Sequence, residues 1–368
     1  RLLHRGMPVY SSLPLGHPAM TNQTPQPSGV SVDALGRPLG SLRVSVIDRC
    51  DLRCAYCMPE EDYTWLPKEG ILTFDEILRL VDAFVSQGVR RVRLTGGEPL
   101  LRSGLVDLVR DLATRSGVED LALTTNATQL ARWALPLRDA GLKRITVSLD
   151  SLNPGRFETL TRRAALDDVL KGIRAASDVG FDELKLNTVV MQDFNDDELI
   201  DLVDFAADHG AQARFIEYMD VGGATLWSAE RVVTRQDILT RLTDHFGPVT
   251  PEPSRGTAPA ESFTLPNGAR VGIIASTTQP FCRTCDRSRL TADGFWYLCL
   301  YAADGIDLRS MLREGATAEQ LTTHIAKVWG QRDDRGAEQR LEMPERGALY
   351  QIQELRQDPR REMHTRGG

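Results

Sequence analysis

From Leu42 onward, short apolar runs alternate with amphipathic stretches along the chain. The apolar runs predict six strands, at 42–47, 91–95, 120–124, 143–149, 184–190 and 213–218. Between them, apolar residues three and four apart predict helices, at 74–81, 105–112, 166–176 and 197–207. Alternating strands and helices are typical of an α/β protein whose parallel sheet is covered by helices. Six such units fit either an incomplete barrel or an open doubly wound sheet.

The pattern differs at the two ends of the chain. Residues 1–35 mix Pro, Gly, Ser, His and Gln without either period, which indicates a disordered extension or a remnant of expression. Beyond about residue 250, prolines interrupt a loop-rich region with strand-like pieces at 270–275 and 288–292, followed by a helical stretch at 307–330. The polar tail from Arg332 to Gly368 is expected to be extended. We therefore divide the chain into three parts, 1–35, 36–250 and 251–368.

The composition narrows the choice of partners. The chain has 44 Lys and Arg against 51 Asp and Glu, and this formal net charge of −7 argues against a nucleic-acid or anionic-membrane surface. A polyanionic ligand would have to bind in a pocket that concentrates positive charge. No run approaches the roughly 18 apolar residues of a membrane span, and the N-terminus lacks the apolar core of a secretory signal. We expect a cytoplasmic protein without nucleic-acid or membrane partners.

Three of the six cysteines, Cys50, Cys54 and Cys57, directly follow the first predicted strand, where the strand–helix loops of an α/β fold carry its chemistry. Six cysteines are too few for a disulfide scaffold in so long a chain, so their grouping indicates metal binding or redox chemistry. No His or further Cys occurs in the next 100 residues, so a tetrahedral zinc site would need a distant ligand. The trio favours an iron–sulfur cluster, in which three cysteines leave one iron open.

The other three cysteines, Cys282, Cys285 and Cys299, form a second trio, so none is left over for a disulfide. Zinc is a stronger competitor here, but a zinc ribbon would need a second Cys-x2-Cys or a His pair, and a second cluster is favoured. Arg287 and Arg289 follow two apart on a predicted strand and therefore share one face. Paired guanidiniums suit phosphate oxygens, whereas the simpler alternative is a solvated charged edge.

The first trio, with Tyr56 before its last cysteine, resembles the signature of the radical S-adenosylmethionine (SAM) family. The segment Gly96-Gly97-Glu98-Pro99 resembles that family's GGEP motif, although paired glycines alone would indicate an ordinary turn. The resemblance implies that the open iron of the first cluster binds the amino and carboxylate groups of SAM, and that an electron from the cluster produces a 5′-deoxyadenosyl radical. It also implies four SAM-contacting residues, Tyr56, Gly97, Ser148 and Met219.

The Arg-x-Arg of Arg287 and Arg289 and the terminal Gly367 and Gly368 resemble the GTP 3′,8-cyclase family, and the match runs from about residue 36 to the end of the chain. This resemblance selects an incomplete (βα)6 TIM-type barrel whose open side is closed by a C-terminal, partly β region. It further implies six GTP-contacting residues, Arg43, Arg93, Thr124, Lys185, Arg287 and Arg289. One departure is Asn126-Ala127, where the family usually has Asn-Gly.

The same resemblance implies an enzyme with two 4Fe-4S clusters and SAM. Its reaction would be the radical cyclisation of GTP to (8S)-3′,8-cyclo-7,8-dihydroguanosine 5′-triphosphate, the first step of molybdenum cofactor biosynthesis. The residues implied in catalysis are Cys50, Cys54, Cys57, Arg287, Arg289, Gly367 and Gly368, and all six cysteines are implied as metal ligands. The family also implies an external electron donor, a homodimer and a downstream cyclic pyranopterin monophosphate synthase that receives the product.

Two rival functions are weighed against this hypothesis. A radical SAM enzyme that modifies a peptide usually has more C-terminal cysteines and lacks both the Arg-x-Arg and the final diglycine. A non-catalytic electron carrier or a zinc-stabilised binding protein would have no reason to carry a Gly-Gly-Glu-Pro segment on a strand–helix scaffold. Iron and sulfide content, with binding of SAM and GTP, would separate these functions.

Overall fold

A single sheet runs through the part of the chain that the computed structural model describes, which is residues 29–60, 62–253 and 256–367. Its strands are β1 Ser41–Ser45, β2 Arg91–Thr95, β3 Asp120–Thr125, β4 Arg144–Ser148, β5 Glu183–Val190, β6 Gln212–Glu217, β7 Thr250–Pro251, β8 Glu261–Thr264, β9 Arg270–Ile274, β10 Arg287–Leu290, β11 Phe295–Tyr297 and β12 Ile306–Asp307. The six strands predicted from the apolar runs are all present, with bounds that differ by at most two residues.

Strands β1 to β6 pair in chain order, and every one of these pairs is parallel. Strand β10 pairs in parallel with the outer edge of β1, and antiparallel β11 and β12 follow it. On the opposite edge, β9 pairs in parallel with β6, and antiparallel β8 and β7 follow. Among the described residues the outermost strands, β12 and β7, do not pair with each other, so the sheet stays open. This is an incomplete barrel that the C-terminal region extends by three strands on each edge.

Helices flank the sheet on its outer face and, in the C-terminal tail, at the cavity. They are α1 Phe74–Ser86, α2 Leu105–Ala113, α3 Leu130–Asp139, α4 Pro154–Thr161, α5 Leu166–Val179, α6 Leu199–Asp208, α7 Arg235–Phe246, α8 Leu308–Arg313, α9 Ala318–Gly330, α10 Gly336–Leu341, α11 Ile352–Gln357 and α12 Met363–Arg366. The predicted helical stretch at 307–330 is two helices, because Gly315 adopts a φ of +90° after α8. Among the residues described, no helix combines the length and apolar character that a membrane span requires.

The two faces of the sheet differ in polarity because side chains alternate along each strand. On β1, Leu42 and Val44 are fully buried in the apolar layer beneath the helices. Ser41 and Arg43 point to the other face, where they line an interior cavity. The parallel strands therefore present hydrophobic residues to the helices and polar residues, several of them cationic, to the cavity.

The apolar layer continues across the division that the sequence suggests near residue 250. Trp296 on β11 lies edge-on against Phe84 of α1, with ring centroids 5.1 Å apart. Trp296 also stacks on Trp329 of α9 at 6.4 Å. Both tryptophans are fully buried. The C-terminal region thus shares its hydrophobic core with the barrel, and the boundary at 250 stays a prediction about the organisation of the chain.

Part of the predicted N-terminal extension belongs to this fold. Of residues 1–35, residues 1–28 lie outside the described residues, but within 29–35 the backbone N–H groups of Ser31 and Ala34 donate to the carbonyl oxygens of Gln87 and Arg332. Asp33 is only 5% exposed and forms ion pairs with Arg37 and Arg332. The sequence pattern could not reveal this, because the partner Arg332 lies about 300 positions away in the chain.

The prediction of an extended tail is wrong. After Arg332 the chain forms α10, α11 and α12, and Thr365 and Arg366 are 0% and 1% exposed. The Arg366 guanidinium donates hydrogen bonds to the carbonyl oxygens of Leu300 and Ala302, at 2.9 and 2.8 Å. Such charge-assisted bonds to distant backbone order a polar segment that has no hydrophobic periodicity of its own.

We predict that Leu321→Ala in α9 lowers the free energy of unfolding by about 3 kcal/mol, because it removes a side chain that is 1% exposed. The matched control is Leu135→Ala in α3, where the leucine is 57% exposed and the expected change is within about 0.5 kcal/mol. Urea unfolding followed by circular dichroism measures both values. Equal stabilities of the two variants would show that α9 does not contribute to the shared core.

Candidate active site

A cavity of about 900 Å³ occupies the polar side of the sheet. Both cysteine trios line this cavity, although Cys50 and Cys299 are almost 250 positions apart in the chain. So do all predicted SAM-contacting and GTP-contacting residues, which are Tyr56, Gly97, Ser148, Met219, Arg43, Arg93, Thr124, Lys185, Arg287 and Arg289. Gly368 lies outside the described residues. The structure therefore brings the predicted cluster ligands and the predicted SAM-contacting and GTP-contacting residues into one compartment, whereas Gly367 is not part of its lining.

The first trio lies on the loop that follows β1, and none of its cysteines forms a disulfide. Burial raises the pKa of Cys50 to about 12 and also raises the pKa values of Cys54 and Cys57. Buried thiols of this kind become thiolates only beside a centre of positive charge such as a metal. Within the described ranges, no three His, Cys, Asp or Glu residues converge closely enough for a single metal ion. Three cysteines on one loop match the donor set of a four-iron cluster with one open iron.

The glycines of the Gly-Gly-Glu-Pro segment allow the end of β2 to lie against the cysteine loop. A Cβ atom on Gly96 would lie 2.2 Å from the carbonyl oxygen of Ile47, and one on Gly97 would lie 2.2 Å from that of Arg49. Gly97 donates its N–H to Ile47 at 2.8 Å, and Glu98 donates its N–H to Arg49 at 2.8 Å. Any larger side chain would push the cysteine loop away from β2.

Glu98 connects the ends of two neighbouring strands. Its buried carboxylate accepts hydrogen bonds from the backbone N–H of Leu100 at 3.0 Å, the hydroxyl of Thr125 at 2.7 Å and the N–H of Asn126 at 2.7 Å. Burial raises the pKa of Glu98 to about 7, partly offset by these hydrogen bonds. The Asn126 side chain then donates to Asp51 in the cysteine loop at 2.7 Å. Through Asn126, Glu98 thus connects the end of β3 to the loop that carries the first trio.

The Asn126-Ala127 departure keeps the turn that a glycine would form. Ala127 adopts a φ of +64°, in the left-handed region that favours glycine. Its backbone N–H donates to the Thr125 hydroxyl at 3.0 Å. An alanine in this conformation costs about 1–2 kcal/mol. The geometry after β3 is therefore retained at the expense of local strain.

The predicted SAM-contacting residues surround the first trio. The Tyr56 hydroxyl donates a 2.7 Å hydrogen bond to Asp150, which also accepts from the backbone N–H of Val189 at 2.8 Å. Burial raises the pKa of Asp150 to about 6. Ser148 ends β4 and Met219 follows β6, so both lie at the carboxyl ends of parallel strands. This is the edge at which α/β barrels bind ligands.

Three arginines lie side by side on the inner face of the sheet. Arg43 on β1 is in register with Arg289 on β10 and with Arg93 on β2, so one row crosses three adjacent strands. Burial, followed by repulsion from Arg287, lowers the pKa of Arg289 to about 9. Burial lowers the pKa of Arg93 to about 10, and burial with repulsion by Arg289 lowers that of Arg43. A polyanion bound in the cavity would relieve this repulsion.

Hydroxyls and carboxylates hold the cations of the neighbouring strands in place. Arg93 donates hydrogen bonds to Thr124 at 3.2 Å and to Thr146 at 3.1 Å. Lys185 forms an ion pair with Glu183, and burial lowers the pKa of Lys185 to about 7. Thr124, one of the predicted GTP-contacting residues, therefore orients the side chain of Arg93.

Sequence reasoning missed Arg214, which lies on β6 and lines the same cavity. Burial lowers its pKa to about 10, and its Nε atom has no hydrogen-bond partner in the described part of the chain. It is in register with Asn187 on β5, whose Oδ1 is also buried without such a partner there. The alternation of side chains along β6 could have revealed Arg214. Its neighbours Ala213 and Phe215 belong to the hydrophobic core, so Arg214 lies on the face of the strand that lines the cavity.

The second trio lies opposite the first, on the loops around β10 and β11. Burial raises the pKa of Cys282, and it raises the pKa of Cys299 to about 11. Burial also acts on Cys285, but the positive charges of Arg287 and Arg332 outweigh it and lower the pKa of that thiol. Arg287 lies over the Phe281 ring at 4.7 Å. The donor set of this trio likewise fits a cluster with an open iron.

The C-terminal tail reaches the arginine row. Arg289 donates a 2.6 Å hydrogen bond to the carbonyl oxygen of Gly367. Gly367 has a φ of +70°, and a Cβ atom there would lie 2.3 Å from Thr95. Its approach to the end of β2 therefore requires glycine. His364 of the same segment lines the cavity, and burial lowers the pKa of its ring to about 3.

A cysteine trio after the first strand of an open parallel barrel defines a radical SAM protein. The model of the Radical SAM superfamily matches residues 44–206, and that of Molybdenum Cofactor Synthesis C matches residues 211–338. GTP 3′,8-cyclase 1 of Mycobacterium tuberculosis is 52% identical over 94% of this chain and 97% of the relative. GTP 3′,8-cyclase of Acidothermus cellulolyticus is 49% identical over 84% of this chain and 88% of the relative. The chain belongs to the GTP 3′,8-cyclase family.

Among solved structures, Streptococcus suis SuiB is similar with a TM-score of 0.56 and 15% identity, covering 84% of this chain and 69% of that chain. At this identity the likeness concerns the fold alone. Together with the open parallel sheet, it confirms the predicted α/β class and its incomplete barrel. The predicted membership of the radical SAM enzymes is confirmed by the family comparison, and iron–sulfur clusters and SAM are the cofactors of that class.

We predict a pH effect from Glu362, whose carboxyl is buried with one oxygen that has no partner among the described residues. Burial raises its pKa from 4.5 to about 7, so the folded state favours the protonated form. The resulting stability is present below pH 4.5 and is lost as the pH rises through about 7. Relative to Glu362→Gln, the parent should lose about 2–3 kcal/mol between pH 5 and pH 8.

Urea midpoints measured across this pH range provide the test. The matched control is Glu345→Gln, which changes an exposed glutamate and should follow the parent curve. If Glu362→Gln also followed the parent curve, the tail carboxyl would not be the source of the pH dependence.

Proposed function

We propose that this protein catalyses the SAM-dependent radical cyclisation of GTP to (8S)-3′,8-cyclo-7,8-dihydroguanosine 5′-triphosphate, the first step of molybdenum cofactor biosynthesis. One observation carries the proposal: two cysteine trios and a row of buried arginines line a single cavity. When bound, the first cluster with SAM supplies the hydrogen-abstracting radical and the second cluster binds the guanine end of the substrate. The relatives in the family bear the name of this reaction.

The first trio and its surroundings form the SAM side of the cavity. Cys50, Cys54 and Cys57 are the proposed ligands of the first cluster. Tyr56 is fixed by its hydrogen bond to Asp150, which prevents the ring from turning out of the cavity. Gly97, Ser148 and Met219 lie at strand ends that face the same compartment. These residues would orient SAM and exclude water from it.

The arginine row forms the GTP side. Arg43, Arg93 and Arg289 stand in register, and Arg287 and Lys185 line the cavity beside them. Guanidiniums bind phosphate oxygens through charge-assisted hydrogen bonds, which are strong in a site with little water. The triphosphate would thus receive local neutralisation in a chain whose net charge is −7.

The reaction closes a bond within one substrate, so the orientation of ribose and base is decisive. Cys282, Cys285 and Cys299 would hold the guanine end while the arginines hold the phosphate end. The tail, which Arg289 contacts at the Gly367 carbonyl, would complete the wall of the cavity. Gly367 and Gly368 are thereby proposed to assist catalysis through their backbone groups.

The remaining parts of the proposal concern partners. An external electron donor is required because the cyclised product radical must be reduced. We further propose a homodimer, a cytoplasmic location and delivery of the product to a downstream cyclic pyranopterin monophosphate synthase, which are expectations from the family resemblance. Analytical ultracentrifugation of the reconstituted enzyme would test the dimer.

We predict that Cys54→Ser abolishes cleavage of SAM, whereas Cys285→Ser retains cleavage and loses the cyclised product. The reason is the division of ligands between the loop after β1 and the loops around β10. Anaerobic assays measure 5′-deoxyadenosine and product separately in both variants. Equal loss of 5′-deoxyadenosine in two folded variants would contradict the assignment of the trios.

We predict that Arg289→Ala weakens GTP binding ten- to a hundredfold, about 1.5–3 kcal/mol, because it removes a desolvated charge-assisted hydrogen bond. SAM affinity should stay at the parent value. Arg289→Lys should also weaken GTP binding, since an ammonium lacks the planar fork. The control is Arg110→Ala, which removes an exposed ion pair with Asp107. Anaerobic calorimetry gives the affinities, and an unchanged GTP affinity would remove Arg289 from the site.

A further inference from the structure

Three buried charged residues lie behind the second cysteine trio and outside the lining of the cavity. Asp33, Arg37 and Arg332 are 5%, 2% and 3% exposed. Asp33 and Arg37 come from the start of the described chain, and Arg332 follows α9 near its end. We refer to these three residues as the buried triad. Charged side chains this deeply buried require a specific compensation.

The two guanidiniums of the buried triad bind the backbone of the cysteine loop. Arg37 donates a 2.9 Å hydrogen bond from Nη1 to the carbonyl oxygen of Cys282. Arg332 donates a 2.9 Å hydrogen bond from Nη1 to the carbonyl oxygen of Cys285. Thus each cysteine of the Cys-x2-Cys pair is held through its own peptide group by a different arginine.

Asp33 links these two arginines to each other. Its Oδ2 atom accepts from Nε of Arg37 at 2.5 Å and from Nη1 of Arg332 at 3.2 Å. Arg332 is also fixed by the Trp329 ring, 4.5 Å below its guanidinium, and by Asp334 at 3.0 Å. The indole N–H of Trp329 donates to the carbonyl oxygen of Arg37 at 3.2 Å. The arrangement leaves little freedom for either guanidinium.

The charges of the buried triad do not cancel. Two guanidiniums face one buried carboxylate, and Asp334 is 29% exposed, so solvent screens it more. Nη2 of Arg37 is buried and has no hydrogen-bond partner among the described residues. This positive excess lies behind Cys282 and Cys285, and it is opposed by the carboxylate of Glu338 at Cys282 and by that of Asp334 at Cys299. Such an excess is offset when the cysteine side carries negative charge, as thiolates and a reduced cluster do.

We propose that the buried triad positions the second cluster and raises its reduction potential. The proposal rests on the proposed function in one respect, because it takes Cys282, Cys285 and Cys299 as cluster ligands. The carbonyl contacts keep two ligands at a fixed separation, which is the role of residues outside the ligand set in metal sites. The excess positive charge stabilises the reduced, more negative state of the cluster.

Variants that change the charge of the buried triad in opposite directions distinguish an electrostatic effect on the reduction potential from a loss of structure. Arg332→Gln removes a positive charge and should shift the potential of the second cluster to more negative values. Asp33→Asn removes a negative charge with almost no change of shape and should shift it to more positive values. Arg332→Lys keeps the charge and should stay near the parent potential. The first cluster should be unaffected in all three variants.

The experiment uses the full chain with both clusters reconstituted anaerobically. Iron content should be about eight atoms per chain in the parent, as expected for two cubanes. A redox titration followed by electron paramagnetic resonance then gives the potential of each cluster. The matched control is Arg241→Gln, because Arg241 likewise binds one carbonyl and one carboxylate, both of Asp196, on a loop without cysteines. It should leave both potentials at the parent values.

Opposite shifts in Arg332→Gln and Asp33→Asn, confined to the second cluster, would support the proposal. So would a loss of about four irons in Arg332→Gln while SAM cleavage by the first cluster persists, since that shows lost positioning. Shifts of equal sign, or unchanged potentials in all variants, would overturn it. If Arg332→Gln lost both clusters, the sign of the shift in Asp33→Asn alone would decide.

The proposed function fails in a different way. A parent protein that holds fewer than two clusters, or that does not bind GTP, would contradict the proposed function. If the parent holds two clusters and makes product, but the reduction potentials are the same in the variants of the buried triad, only the role of these three residues is contradicted.

Discussion

Buried positive charge on the inner face of the sheet is the constraint around which this protein is organised. Arg289, Arg43 and Arg93 stand in register on three adjacent parallel strands, and burial, together with repulsion from nearby arginines, lowers their pKa values. The apolar residues of the same strands pack beneath the helices, so alternation along each strand forces the arginines together. Binding of a polyanion such as GTP would neutralise this buried positive charge.

The same constraint explains why the C-terminal region is part of the barrel. Strand β10 brings Arg287 and Arg289 to the edge of β1, and its flanking loops carry the second cysteine trio. One parallel pairing therefore places the proposed phosphate-binding pair, the proposed ligands of the second cluster and the first strand of the barrel together. The tail adds a further contact, because Gly367 accepts a hydrogen bond from Arg289. In the proposed function, substrate binding and tail docking would involve the same guanidinium.

Glycine and carboxylate contacts hold the two cysteine loops from behind. Gly96 and Gly97 let β2 touch the first loop, and Glu98 braces it through the end of β3. Behind the second loop, Arg37 and Arg332 bind the peptide groups of two cysteines. Gly97 lines the cavity itself, whereas Arg37 and Arg332 lie outside its lining, and both supports fix where the thiols lie. The cost of burying these polar groups is offset by their hydrogen bonds to the loops, although Nη2 of Arg37 has no partner among the described residues.

The sequence by itself determined the six parallel strands, the two cysteine trios and the residues that match the family motifs, because each of these is encoded in a short segment of the chain. Strand alternation reports which face is buried, and ligand spacing reports where thiols share a loop. The register of Arg43 with Arg289, the buried triad of Asp33, Arg37 and Arg332, and the docking of the tail were decided only by the tertiary structure. The first two features join segments that lie more than 200 positions apart, and the third concerns a polar stretch without periodicity. Such contacts depend on packing and charge compensation in the folded protein, which no local sequence pattern contains.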